Sequence, residues 1–155
     1  MSKEIATWPI GIVHGGRAEA SDDAWDTVES RIELDPAQFT AEAIAGLSEF
    51  SHVEVLYHFH KVAPATIVTG ARHPRGNTNW PKVGIFAQRG KNRPNRIGAT
   101  ICALVSVDGL TLHVRGLDAI DGTPVLDIKP VMKGFLPRGE VREPAWAGEL
   151  MKGYW

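Results

Sequence analysis

A single cysteine, Cys102, in 155 residues excludes an internal disulfide and fits a reducing cytoplasm. No stretch approaches the roughly 18 consecutive apolar residues that a membrane helix requires. The opening Met1-Ser2-Lys3-Glu4-Ile5 lacks the apolar core of a secretory signal. Membrane, secreted and disulfide-scaffold readings therefore fall away. A Gly-x-Ser-x-Gly elbow, a phosphate loop and a dinucleotide fingerprint are also missing, so hydrolase, nucleotidase and Rossmann readings have no support. What remains is a chain 43% hydrophobic and 23% charged, the balance of a folded protein, with a length that suits one domain over residues 1–155. Sixteen glycines and ten prolines favour turns over long helices.

The net charge of −1 conceals a polarity along the chain. Residues 1–54 hold eleven acidic and three basic side chains, whereas residues 70–100 hold seven basic and no acidic ones. A local +7 marks a surface that attracts an anion or a nucleic-acid backbone. The plainer alternative is that this segment packs against the acidic N-terminal third.

Alternating apolar residues predict short strands at Ile10–Val13, Arg31–Leu34, His52–His60, Ala65–Ala71, Val83–Ala87, Ala99–Val107, Leu110–Leu117 and Val125–Ile128. In the third of these, Val53, Val55, Tyr57 and Phe59 share one face and Glu54, Leu56, His58 and His60 the other. Val107-Asp108-Gly109-Leu110 predicts a tight hairpin. Asp35 followed by Pro36 predicts the start of the one main helix, running to about Leu47. Many short strands and one helix imply a mostly β fold, and a small closed barrel hides its edges best. Residues 132–155 read as a surface-wrapping tail.

His58 and His60, two apart on a strand, point the same way. No partner at a familiar metal-ligand spacing accompanies them, so a substrate contact or a packed imidazole is expected in place of a metal. Cys102, alternating with Ile101 and Ala103 taken as buried, reads as core and not as a nucleophile. Two stretches are too polar and irregular to be only core. Gly84-Ile85-Phe86-Ala87-Gln88-Arg89-Gly90-Lys91-Asn92-Arg93-Pro94-Asn95-Arg96-Ile97-Gly98 carries guanidinium forks that clamp a carboxylate or phosphate. The other, Gly116-Leu117-Asp118-Ala119-Ile120-Asp121-Gly122-Thr123-Pro124-Val125-Leu126-Asp127-Ile128-Lys129-Pro130, sets three carboxylates in and around a turn. These carboxylates accept bonds from ribose hydroxyls or an amine, or else tie the turn and the nearby arginines structurally.

Together these stretches resemble the TsaA-like family, also called TrmO or YaeB-like. Ile10-Gly11-Ile12-Val13, His52 to His60 and Arg72-His73-Pro74-Arg75-Gly76 fit the same pattern, so the likeness spans about residues 9 to 131. The resemblance implies a single-sheeted β-barrel, binding of S-adenosylmethionine and a homodimer. It also implies methylation of the exocyclic amine of a modified adenosine just 3′ of the tRNA anticodon. By that resemblance, cofactor contacts fall on His60, Lys61, Arg89, Ala99 and the turn Asp118, Ala119, Ile120 and Asp121. Phe86, Arg93, Asn95, Asp127 and Lys129 match further motif positions as pocket or RNA contacts.

Methyl transfer needs no covalent enzyme intermediate, consistent with the missing nucleophile. His58, His60, Asp118 or water are the candidates to take the amine proton. Trp80 reads as a core or interface residue, with base stacking as the alternative. The chain departs from the family at Ser21-Asp22-Asp23-Ala24-Trp25-Asp26, where a proline-led polar patch is usual, and after Pro130. A small-metabolite methyltransferase and a non-catalytic adenosylmethionine or RNA sensor are the competing readings.

Overall fold

In the computed structural model, which describes residues 3–155, six antiparallel strands close into a barrel. The strands are β1 (Gly11–Gly15), β2 (Glu29–Leu34), β3 (His52–His58), β4 (Ala71–Arg72), β5 (Val83–Gly84), β6 (Ile97–Asp108), β7 (Thr111–Arg115) and β8 (Pro124–Pro130). Around the barrel the order is β1-β2-β7-β6-β3-β8, while β4 and β5 form a separate two-stranded ladder. The mostly β, barrel reading therefore holds. Register shifts at Leu56/Tyr57 and Leu104/Ser106 give so small a sheet the curvature to close.

The alternation read in the sequence sets the core: Val53, Val55 and Tyr57 point inward from β3, and Ile32, Leu34 and Val114 join them. In β6 the phase is opposite to the expected one. Val53 pairs with Cys102 and Val55 with Thr100, so Cys102 faces the core at 3% exposure and Ile101 faces out at 48%. The β6–β7 hairpin forms as expected, with Gly109 left-handed (φ 58°) as the first of two loop residues.

The expected helix over 36–47 does not form. Asp35 does cap a turn, its carboxylate accepting from Ala37 N at 2.9 Å, but Thr40 is extended and Gly46 left-handed. Only 3₁₀ turns at Ala41–Ile44 and Leu47–Glu49 remain, because no residue of this alanine-rich stretch is buried enough to anchor a longer helix. The sole α-helix among the described residues, α1 (Ala145–Met151), lies instead in the tail. The strands expected at 65–71 and 83–87 shrink to β4 and β5. Pro64 starts a 3₁₀ turn in the first, and Ile85–Ala87 form another after the second.

Since every neighbouring pair in the barrel is antiparallel, the loops 16–28, 59–96 and 116–123 gather at one end. The 35–51 connection, the 109–110 turn and the exit after Pro130 lie at the opposite end. The acidic first loop and the basic second loop thus meet over one mouth. Among the described residues, Arg75–Asp23 at 3.1 Å is the ion pair that joins them. Most of the basic charge is therefore not cancelled by the acidic third.

Candidate active site at one mouth of the barrel

Asp118 is the centre of this mouth. It follows β7 in the 116–123 loop, and three hydroxyls converge on its carboxylate. Tyr57 (3.1 Å) and Thr100 donate to Oδ1, and Tyr154 donates to Oδ2. Tyr57 and Thr100 are inward residues of β3 and β6, so the barrel wall itself orients Asp118. Burial first, then the Asp118 carboxylate, push the Tyr57 phenol well above its ordinary value, and the nearby Arg89 opposes that shift. Tyr154 is raised for the same two leading reasons. Both phenols stay protonated as donors at neutral pH. Tyr57 was legible as an inward residue; Thr100 and Tyr154 carry no motif, and neither was expected in the site.

The structure brings several expected residues to this mouth. Arg89 Nη2 donates to the Ala99 carbonyl at 2.6 Å, which joins two of them directly and, among the described residues, leaves the other guanidinium N–H groups free for an anion. His60 Nε2 lies where a Cβ on Gly122 would stand 3.7 Å away, so its ring flanks the acidic turn. His58 and His60 are both held below the ordinary imidazole value. Partial burial leads in each, followed by the charge of Arg96 for His58 and of Lys61 for His60. Both rings are thus neutral and able to accept a proton near pH 7. Lys61 Nζ donates to the Ala18 carbonyl at 3.3 Å, linking the first two loops.

Other expected residues serve the scaffold. Asp121 Oδ1 accepts from Gly15 N at 2.9 Å, tying the turn to β1. Ala119 is buried in the core cluster, so a ligand would meet it only through its backbone. The Ile120 carbonyl accepts from the Thr123 hydroxyl at 2.7 Å. Arg93 Nη1 donates to the Gln88 carbonyl at 2.7 Å, and Arg96 Nη1 to the Val62 carbonyl at 2.8 Å, so both staple the basic loop. Asn95 holds a left-handed conformation (φ 62°), one that asparagine tolerates better than most residues. Gln88, missed in the sequence, is buried and bonds the Arg72 and Val83 carbonyls at 3.0 and 2.9 Å. Phe86 projects into solvent at 77% exposure.

Asp127 and Lys129 are not brought into the cluster. They pair with each other at 2.8 Å on the outer wall of β8. Among the described residues, no group of three His, Cys, Asp or Glu side chains is arranged to hold a metal ion. No helix among them is long and apolar enough to cross a membrane.

A cation, two neutral imidazoles and a hydroxyl-held carboxylate around one end of a closed antiparallel barrel define a class: a β-barrel protein with a polar ligand site built from its end loops. The chain belongs to the tRNA-methyltransferase O N-terminal domain family, whose pattern matches residues 20–135. It is 37% identical over 150 residues to a probable S-adenosyl-L-methionine-binding protein of Pyrococcus abyssi, covering 93% of this chain and 75% of that protein. It is 43% identical over 93 residues to the tRNA (adenine(37)-N6)-methyltransferase of Mus musculus, covering 60% of this chain but only 21% of that one. The crystal structure of TrmO from Pseudomonas aeruginosa superposes with a TM-score of 0.70 at 28% identity, covering 90% of this chain and 62% of that one. The chain thus spans about a fifth of the mouse enzyme and under two thirds of the bacterial one.

Proposed function

We propose that this protein is an S-adenosylmethionine-dependent methyltransferase that N-methylates an adenosine beside the anticodon of tRNA, acting as a homodimer in the cytoplasm. The observation that carries the reading is the convergence of Arg89, His60 and Asp118 at one mouth of the barrel, under a loop of net positive charge. The donor set fits the cofactor. Arg89 has N–H groups to spare for a carboxylate, and Asp118 and the carbonyls of the 116–123 loop suit an ammonium or ribose hydroxyls. When bound, the cofactor supplies a methyl group on a sulfonium centre, which passes to an amine by in-line displacement. Orientation is then the main contribution of the protein.

Within this reading, Arg89 holds the anionic end of the cofactor, with Lys61 at the rim. His60, neutral and flanking the acidic turn, is the candidate proton acceptor for the methylated amine; His58 stands two residues away on the outward face. Asp118 contributes less as a base than as an acceptor that orients a donor, because three hydroxyls already point at it. The basic loop faces the RNA. Dimer formation is supported by the outward row Ile97, Ile101 and Val105 on β6, each at least 42% exposed, which a second copy would cover.

Calorimetric titration with S-adenosylmethionine, with S-adenosylhomocysteine and ATP as comparisons, tests the cofactor assignment. Labelled-methyl transfer to bulk tRNA then tests the acceptor. Selective, saturable binding that Arg89→Ala abolishes while the fold survives supports the mapping. Absence of binding by folded protein withdraws the enzyme reading, and transfer to a metabolite pool but not to RNA replaces the substrate. Light scattering gives the mass of one chain or of two.

A further inference from the structure

The chain leaves β8 at the end of the barrel opposite the candidate site, yet its last residues return to it. Ala24 N donates to the Gly153 carbonyl and Trp25 N to the Tyr154 carbonyl, both at 2.9 Å, so the tail runs alongside the first end loop. That loop is made rigid to receive it. The Arg17 guanidinium lies 4.2 Å from the centre of the Trp25 ring and donates to Ser21 Oγ at 2.6 Å and to the Asp23 carbonyl at 2.7 Å. Trp25 is buried, with its indole N–H on the Ser21 carbonyl at 3.0 Å. A second tie joins the tail to the basic loop, where Trp80 Nε1 donates to Glu149 Oε2 on α1 at 2.7 Å. Two separate loops therefore fix the tail, and the residue it delivers is Tyr154, whose hydroxyl reaches Asp118 Oδ2.

A carboxylate offers about four acceptor positions. Thr100 and Tyr57 occupy those of Oδ1, and Tyr154 takes one on Oδ2. Among the described residues a single acceptor position is left, on Oδ2 and adjacent to the Tyr154 hydroxyl. We propose that Tyr154 is a positioning residue, delivered by the C-terminal segment, that fixes the one free acceptor position of Asp118 on a single N–H or O–H donor of the bound ligand. The proposal rests on the methyltransferase reading above, and the donor belongs either to the cofactor or to the amine that receives the methyl group.

The test uses the full chain with Tyr154→Phe, which keeps the ring and removes only the hydroxyl, alone and combined with Asp118→Asn. If the donor belongs to the cofactor, Tyr154→Phe weakens S-adenosylmethionine affinity about tenfold, the worth of one hydrogen bond to a charged group. If it belongs to the acceptor, cofactor affinity holds and kcat for methyl transfer to tRNA falls about tenfold with KM for the cofactor unchanged. In both cases the loss disappears in the Asp118→Asn background, because the hydroxyl acts through that carboxylate. A tail that merely supports the fold predicts instead additive losses of thermal stability with no such split. Wild-type binding matched by Tyr154→Phe, with equal transfer by both, overturns the positioning role and leaves the cofactor assignment standing. Absence of transfer by the wild-type protein removes the methyltransferase reading on which the acceptor arm rests. Failure of the wild-type protein to bind S-adenosylmethionine removes both.

Discussion

Gly98 lies directly over the ring of Tyr57, its cross-strand partner: a Cβ on Gly98 would stand 2.6 Å from both Cε2 and Cζ of that ring and 3.0 Å from Cζ of Phe59. Tyr57 and Phe59 meet edge to face at 5.4 Å, so the ring has little room to retreat. Gly98→Ala must therefore displace the phenol whose hydroxyl bonds Asp118. The expected cost is about 1–3 kcal/mol of stability from overpacking, together with weakened ligand binding. Tyr57→Phe, which removes only the hydroxyl, is expected to cost less stability. Denaturant midpoints of both variants check this, and a Gly98→Ala midpoint equal to wild type contradicts the packing argument.

The barrel was legible because period-two alternation at Val53, Val55 and Tyr57 is a local signal that a single buried face imposes. The phase of β6 was not, since Ile101, Cys102 and Ala103 are all apolar and only the pairing with β3 decides which turns inward. The helix at 36–47 misled for a related reason: Asp35 and Pro36 form a true cap, but propagation needs a fully buried face, and Phe39, Ile44 and Leu47 pack only partly against the core. At the site, Arg89, His60 and Asp118 stood out through their motifs. Thr100 and Tyr154 did not, because a hydroxyl in a strand and an aromatic in a tail acquire meaning only from the carboxylate that the fold sets beside them.

The two depressed imidazoles give the stability a pH window. His58 and His60 titrate below the ordinary 6.5 when folded, so the unfolded chain binds protons first as pH falls. Their contribution is fully present above about pH 6.5 and is lost as pH falls below it. Glu33, held low chiefly by its hydrogen bond from Arg31, and Asp35, held low chiefly by Gln38, lose theirs only below 4.5 and 3.8. The thermal midpoint is expected to decline from pH 7 to 5.5, and His58→Gln with His60→Gln to flatten that decline. A wild-type midpoint that rises over this range contradicts the assignment.

Cys102 is inert in the folded protein. Burial, and then the Asp118 carboxylate, push its thiol up to about 12, so almost no thiolate exists at pH 8. An aromatic disulfide reagent is expected to leave the native protein unmodified over the time in which it titrates one thiol per chain in guanidinium. Rapid native labelling would place Cys102 in an accessible, polar setting that the β3–β6 register does not allow.

The basic loop divides into side chains that shape it and side chains that remain available. Arg89, Arg93 and Arg96 each spend a guanidinium N–H on a backbone carbonyl, whereas Lys82 and Lys91 are exposed and have no such tie among the described residues. Loss of a lysine that contacts a phosphate lowers RNA affinity about equally for all sequences, and reduces the slope of log affinity against log salt by about 0.7. Lys82→Ala and Lys91→Ala are expected to do this without changing cofactor affinity or the thermal midpoint. Arg93→Ala, which frees the Gln88 carbonyl, is expected to lower stability as well, because the staple and not only the charge is lost. Filter binding of tRNA across a salt series, read beside a thermal melt of each variant, separates the two groups. A salt slope unchanged in both lysine variants would move the RNA contact away from this loop and leave its charge to a smaller anionic ligand.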